Sequence, residues 1–243
     1  TLYEPFVKSR EATVLADASM RGIMPLARSA TVLLSVTNGH TEAHVLQDGR
    51  RLMDPKGRIF TVESAVTIAP GATVTVRCAQ RAVRVETHAV TSPRPFYTIE
   101  VPQTTEPVYL CGLEVWRRTS ADTLEQFAYR PEWFNVNPDD KVYQVEVDER
   151  RRMWVQFGKD QVVGYAPRLG DTFELHIAES SGAVTDLAVD DPFVPEYVYT
   201  LADSLMSARL LSVSDNGSAP AGIDELRIVA RYPAIYDHNA VYL

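Results

Sequence analysis

The sequence predicts an α+β protein that is predominantly β, built from two or more small antiparallel β-rich domains with a few short helices. Three observations carry this expectation. Short β-branched runs recur about every 8–12 residues, the spacing of an antiparallel β domain. Asn-Gly, Asp-Gly and Pro-Gly turn signals separate them. Helical periodicity is confined to brief stretches.

The elements follow in order. Ser9 to Ala27 carries a partial helical stripe of Val14, Leu15, Ala18 and Ile23, broken by Gly22 and Pro25, and predicts a short helix or helical turn. Thr31 to Val36 is β-branched and ends at Asn38-Gly39, a hairpin signal. Strands are expected at Ala43–Leu46, Arg58–Val62, Ala65–Ile68 and Thr73–Arg77, the last with Val74 and Val76 on one face. Ser92 to Pro107 holds four of the 15 prolines; lost ladder donors make it an edge strand or connector. Val108–Arg117, Lys141–Val147, Met153–Phe157 and Thr172–Ile177 read as further strands. Ser120 to Tyr129 offers Ser120 as an N-cap ahead of Leu124, Phe127 and Ala128, and predicts a short helix. Tyr199 to Leu211 reads as strand or short helix, and Ser212 to Gly222 as loop. Ile223 to Val229 opens on Asp224 and Glu225, as a helix entry does. The resulting division is an N-terminal helical or extended arm at 1–29, a first β-rich domain at 30–100, a second at 101–190 and a mixed α/β segment at 191–243.

Composition bounds the function. Of 243 residues, 45% are apolar and 23% charged, enough for a hydrophobic core and typical of a globular chain. A net charge of −8 argues against general nucleic-acid binding, which needs clustered Lys and Arg; Arg50-Arg51 and Arg150 to Arg152 are short and flanked by acids. No apolar run is long enough to span a membrane, and Thr1 to Arg10 contains Glu4 and Lys8 and no apolar core of a leader. A chain opening on Thr1 fits either removal of an initiator Met or a fragment. Cys78 and Cys111 sit in strand runs, where a buried free thiol is expected.

Chemical motifs are sparse. His40 and His44 flank Glu42, but on a strand the two imidazoles lie about 13 Å apart, too far for one ion with bonds of about 2.1 Å, so a polar strand face is expected. Walker A, G-x-G-x-x-G, H-E-x-x-H and G-x-S-x-G are absent. Asp139-Asp140 and Asp190-Asp191 stand beside prolines and read as turn residues rather than a glycosidase pair. Tyr129, Trp133 and Phe134 form an aromatic cluster suited to a core or a subunit interface, or, if exposed, to stacking on sugar rings. No catalytic residue, metal or cofactor is expected.

The segment Trp154 to Asp186 is the most distinctive. Phe157 can close a strand into the core, Gly158 allows a tight turn, Gly164 and Pro167 fix a second reversal, and Gly170 launches the strand at Thr172. With Asp160 and Gly182, this order resembles a segment of the baseplate J-like family, in which a strand leads into Phe-Gly-Asp-Gly, then Gly-x-x-Pro, then a glycine and another strand. The usual Asp-Gly tip stands here as Gly158-Lys159-Asp160-Gln161. Upstream, Asp48-Gly49 through Phe60-Thr61-Val62 to Val74-Thr75-Val76 is similar to the family's first β element. Downstream, Gly222-Ile223-Asp224-Glu225 with Arg227, Pro233 and Asn239-Ala240-Val241 resembles its helix and loop, with Asn239 where Arg is commoner and Tyr242 where Thr is expected. A chain ending at Leu243 would lack the C-terminal region that such proteins usually carry.

The resemblance implies a structural, non-enzymatic role. The chain would be a wedge subunit of a contractile-tail baseplate in a phage or phage-like particle, assembled in the host cytoplasm. Copies of it, with other wedge, hub and sheath-associated proteins, would ring the hub and pass receptor engagement to the sheath. Neither nucleic acid nor membrane insertion is implied. Tyr129, Trp133, Phe134, Asp224, Glu225 and Arg227 are the candidate interface residues. The competing expectation is a carbohydrate- or receptor-binding β module.

Overall fold

A computed structural model describes residues 13–15, 18, 23–102, 105, 107–121, 123–148 and 150–229. The predominantly β α+β class holds. Residues 13–15 and 18 are helical, and the rest of the expected N-terminal helix up to Gly22 lies outside the described residues.

Six strands close into a barrel: β1 (Thr31–Asn38), β3 (Arg51–Met53), β4 (Ile59–Val62), β6 (Thr73–Ala79), β14 (Pro192–Pro195) and β15 (Met206–Asp215), in the order β1-β15-β14-β3-β4-β6. Alternation decides which side chains fill it. Val32, Leu34 and Val36 of β1 point inward with Val76 and Cys78 of β6, and meet Leu52, Phe60, Phe193 and Leu210. A small pair, β2 (His44–Leu46) and β5 (Val66–Ile68), adds Leu46 and Ile68 to this core.

The seven strands between β6 and β14 form the second sheet. They are β7 (Ala82–Ala89), β8 (Thr98–Val101), β9 (Tyr109–Ser120), β10 (Thr123–Tyr129), β11 (Val142–Val147), β12 (Met153–Gln156) and β13 (Thr172–Ser180), ordered β7-β13-β9-β10-β11-β12-β8. Every pairing is antiparallel except the short parallel contact of β10 with β11. The sheet curls until its two edges meet through side chains: His88 Nε2 lies 2.8 Å from the Tyr97 hydroxyl, and Arg84 donates to the Pro102 carbonyl at 3.0 Å. Inside, Phe127 packs edge-on against Phe157, Tyr165 and Phe173 at centroid distances of 5.5–5.7 Å. The proline-rich stretch supplies β8, an edge strand, because Pro102 cannot continue a ladder.

The sheets cut across the segmentation read from the chain. Residues 30–100 supply strands to both sheets, and β14 and β15 return from 191–243 to complete the first barrel. Entry and exit of the second sheet are tied together by Gln80, which is buried. Its backbone N–H donates to the Ala30 carbonyl at 2.7 Å, and its side-chain oxygen accepts from the Ser180 hydroxyl and the Ser181 N–H.

Three local expectations are corrected. Ser120 to Tyr129 is not a helix: β10 pairs with β9 from Thr123↔Ser120 to Phe127↔Val115, and burying Phe127 on a sheet face outweighs a weak helical stripe. The expected loop at Ser212 begins four residues late, because Ser212 to Asp215 pair with Leu33 to Thr31 through two bulges while their polar side chains face outward. His40 to His44 is not a strand face either, since only His44 lies on a strand. Tyr199 to Leu211 contains both alternatives: α1 (Leu201–Leu205) and then β15. The helix expected at Ile223 is present as α2 (Ile223–Val229), with Leu226 buried against Val14, Leu15 and Ala18.

Candidate functional site

Strand directions bring three loops to one end of the second sheet: 90–97, 130–141 and 157–171. The glycine motif and the aromatic cluster therefore meet in space. Phe157 leaves β12 into the core, 4.4 Å from the Phe173 ring, and its N–H donates to Tyr97 O at 2.8 Å. Gly158 lies where the chain doubles back, with its N–H on Tyr165 O at 2.9 Å and its carbonyl accepting from Phe96 N–H. A Cβ at position 158 would stand 1.9 Å from Val163 O, so only glycine fits. Lys159 and Val163 then pair across an exposed tip containing Asp160 and Gln161, and Gln161 takes φ 57° where the resembling pattern has glycine. Gly164, at φ 59°, receives Asn137 O on its N–H and offers its carbonyl to Asp139 N–H. The Trp133 ring covers it, 2.9 Å from where a Cβ would be. Pro167 is buried, and Gly170 sits in the turn before β13, its N–H on Val90 O. Gly182 lies apart, beyond β13, against Ala219 and Tyr109.

The aromatic cluster divides by role. Tyr129 belongs to the sheet, 5.7 Å from Tyr143, and burial pushes its hydroxyl up from the usual range. Trp133 is a half-buried wedge between Gly164 and Phe96, whose ring is 6.4 Å away. Phe134 is 78% exposed, and Phe96 and Val162, in the other two loops, are exposed as well. Four of the six non-glycine residues with positive φ among the described residues lie in these loops: Phe96, Asn135, Asp139 and Gln161. Such strain persists where surrounding contacts over-determine the backbone, and it concentrates at functional surfaces. Beneath the loops, Tyr165 donates to Asp171 at 2.6 Å and Arg117 donates to Tyr165; burial first, then the Asp171 carboxylate, pushes the phenol up to about 12. That network is a support for the loops.

The other singled-out residues lie elsewhere. Asp224 and Glu225 are exposed on α2, and Arg227 pairs with Asp224 at 2.9 Å; none of the three joins the loop cluster. Asp139 and Asp190 hold left-handed turn conformations, and Asp140 and Asp191 accept from Asn137 N–H and Ala188 N–H, as turn carboxylates do. Burial pushes the Cys78 thiol up to about 12. His40 accepts from Glu42 N–H, while His44 stands 3.4 Å from the Asp203 carboxylate.

A second surface was not legible in the sequence. At the far end of the first barrel, Tyr197, Val198, Tyr199 (73% exposed), Leu201 (66% exposed) and Leu205 project into solvent. The segment is rigidly mounted. Asp203 accepts from the Tyr199 and Thr200 N–H groups at 3.0 Å each, and Thr200 caps α1 in a reciprocal box. Arg50 reaches Asp203 at 3.2 Å, donates to Tyr197 O, and lies 4.7 Å beneath the Tyr199 ring. Burial raises the Asp203 carboxyl, but the two N–H donors and Arg50 outweigh it and hold it below the usual carboxylate range. The only sequence signal was the run Tyr-Val-Tyr-Thr-Leu, which reads equally well as a buried strand.

Both ends offer apolar contact area on preorganised backbone, the physical make-up of a macromolecular interface. Among the described residues no group of three His, Cys, Asp or Glu side chains could hold a metal ion, and no helix is long and apolar enough to cross a membrane. No protein-family model matches the chain, and no curated protein matches it.

Proposed function

We propose that this chain is a structural wedge subunit of a contractile-tail baseplate, acting through subunit contacts at the hub and passing receptor engagement to the sheath. The observation that carries the reading is the glycine motif. Of the residues that resemble the baseplate J-like pattern, Phe157, Gly158 and Gly164 lie together where the hairpin closes, Pro167 is buried just beyond them, and Gln161 adopts the left-handed turn that the pattern's glycine would supply. The rigid apolar ends support an assembly role, because interfaces are anchored by exposed aromatics on fixed backbone. On this reading the partners are other wedge, hub and sheath-associated proteins together with further copies of the chain, and the location is the tail baseplate of the virion.

The test is incorporation. A tagged chain produced with a complete tail gene set is expected to co-purify with baseplate particles. Gly164→Val, which forces a β-branched residue into positive φ beneath Trp133, is expected to abolish incorporation. Normal incorporation of that variant would count against the reading. The exposed Phe134 and Phe96 also favour a second reading, a glycan- or receptor-binding module, which saturable binding to a glycan array with loss in Phe134→Ala would support.

A further inference from the structure

Strand β10 changes neighbours within its own length. It pairs with β9 as far as Phe127↔Val115 and with β11 from Ala128↔Val142, so β9 and β11 part around its end. The fork holds a recess of about 370 Å³, bounded by Leu113, Glu114, Gln126, Tyr129, Lys141 and Tyr143. That is the size of a small-molecule site. Tyr143, which is buried, braces the fork: its hydroxyl donates to Leu113 O at 2.8 Å, and its ring lies 5.7 Å from that of Tyr129.

Trp116, on the outer face of β9, adjoins this recess. It is the cross-strand partner of Gln126, and its indole N–H donates to the Glu114 carboxylate at 3.2 Å, so two lining residues flank the indole. The half-buried ring also meets His176, 5.8 Å away at 35°. His176 Nε2 lies 3.3 Å from Glu174, which accepts from Arg118 and is only 5% exposed although it alternates with the core residues Phe173 and Leu175. The indole is thus held by its neighbours rather than free to turn, as a binding surface requires.

The polar groups define what fits. Gln126 and Lys141 make no side-chain hydrogen bond or ion pair with another described residue; the Lys141 ammonium rests 4.1 Å from the Tyr165 ring centroid. Glu114 and Lys141 offset one another, so a ligand of either sign meets a like charge. A wholly apolar ligand would desolvate a carboxylate, an amide and an ammonium without pairing them. A neutral ring bearing several hydroxyls, each both donor and acceptor, can satisfy all three and lay its C–H face on the indole.

We infer that the recess beside Trp116 binds a neutral saccharide, one sugar ring stacking on the indole while its hydroxyls engage Glu114, Gln126 and Lys141. The site goes beyond the assembly reading and does not depend on it, and it shares no residue with the Phe96 and Phe134 surface.

Saturation-transfer NMR and calorimetry on the purified full chain give the test, with glucose, galactose, mannose and N-acetylglucosamine as neutral probes and glucuronate and choline as charged ones. At least one neutral sugar is expected to bind saturably with a millimolar Kd, the weak range of a single-ring ligand, and neither charged probe to match it. Trp116→Ala is expected to weaken binding at least about tenfold, and Trp116→Phe, which keeps a ring, to restore most of the affinity. Gln126→Ala alters an exposed side chain, so it keeps the wild-type circular dichroism and melting temperature while weakening binding about threefold. No saturable binding of any neutral probe, tighter binding of a charged one, or unchanged affinity in both Trp116→Ala and Gln126→Ala overturns the inference. Binding that survives Trp116→Ala and is lost in Phe134→Ala also overturns it, while supporting the glycan reading at the loop end. Incorporation into tail particles decides the baseplate reading separately.

Discussion

Single residues set much of the local geometry through ion pairs that link distant parts of the chain. Asp186, just past the second sheet, accepts from Lys56 and from Arg58 Nη1 at 2.7 Å, and Arg58 also pairs with the buried Asp54 carboxylate at 2.6 Å. The Lys56 and Arg58 donors hold the Asp186 carboxyl down to about 2. A carboxyl depressed on folding contributes stability that is fully present above its unfolded value of about 3.9 and is lost as pH falls through its folded value. Asp186→Asn is therefore expected to melt below the wild type at pH 7, with the difference shrinking as pH drops from about 4 towards about 2. A gap unchanged across that window in thermal melts would show that the pairing contributes through packing alone. At this scale the sequence was legible where geometry is local: the turn role of Asp139, Asp140, Asp190 and Asp191 follows from neighbouring prolines and short hydrogen bonds. Partners more than 120 positions apart, such as Asp186 and Arg58, leave no local trace.

At the scale of elements, legibility followed burial pattern. Tyr143, Val145 and Val147 alternate with Gln144 and Glu146 in the sequence and do so in β11. The stretch before it carries two patterns at once. Leu124, Phe127 and Ala128 fit a helix, and Glu125, Phe127 and Tyr129 fit a strand face; pairing with β9 decides for the strand. The hairpin between β12 and β13 shows the reverse, a turn chemistry visible in its glycines but finished by a residue that should resist it. Gln161 at φ 57° carries a left-handed cost of about 1–2 kcal/mol, which glycine would remove at a smaller entropic cost in the unfolded chain. Gln161→Gly is expected to stabilise the protein by about 0.5–1 kcal/mol, raising the melting temperature by about 1–4 °C. A lowered melting temperature would mean that the Gln161 side chain contributes contacts at the tip.

For the whole molecule, order in the chain and order in space diverge. β14 and β15 lie more than 100 residues after β6, yet β15 pairs with the whole of β1, and β14 bridges β15 to β3. A chain truncated after Asp190 loses both strands and opens the first barrel along β1 and β3, exposing Leu34, Val36 and Phe60. That truncation is expected to leave the first barrel without cooperative unfolding, whereas replacing residues 81–182 by a short flexible linker leaves all six of its strands in place and a cooperative melt intact. Calorimetry of the two variants checks this, and cooperative melting of the barrel in the truncated chain would refute the dependence.

By itself the sequence determined the β-rich class, most strand positions, and the turns of the Phe157 to Gly170 segment, because alternation, β-branching and glycine or proline punctuation are properties of a few adjacent residues. Only the tertiary structure decided that two strands return across the inserted sheet, that Trp133 seals Gly164, and that Tyr197 to Leu205 faces solvent. An apolar residue has the same local signature whether it fills a core or faces a partner. Which of the two it does depends on what the rest of the chain brings against it.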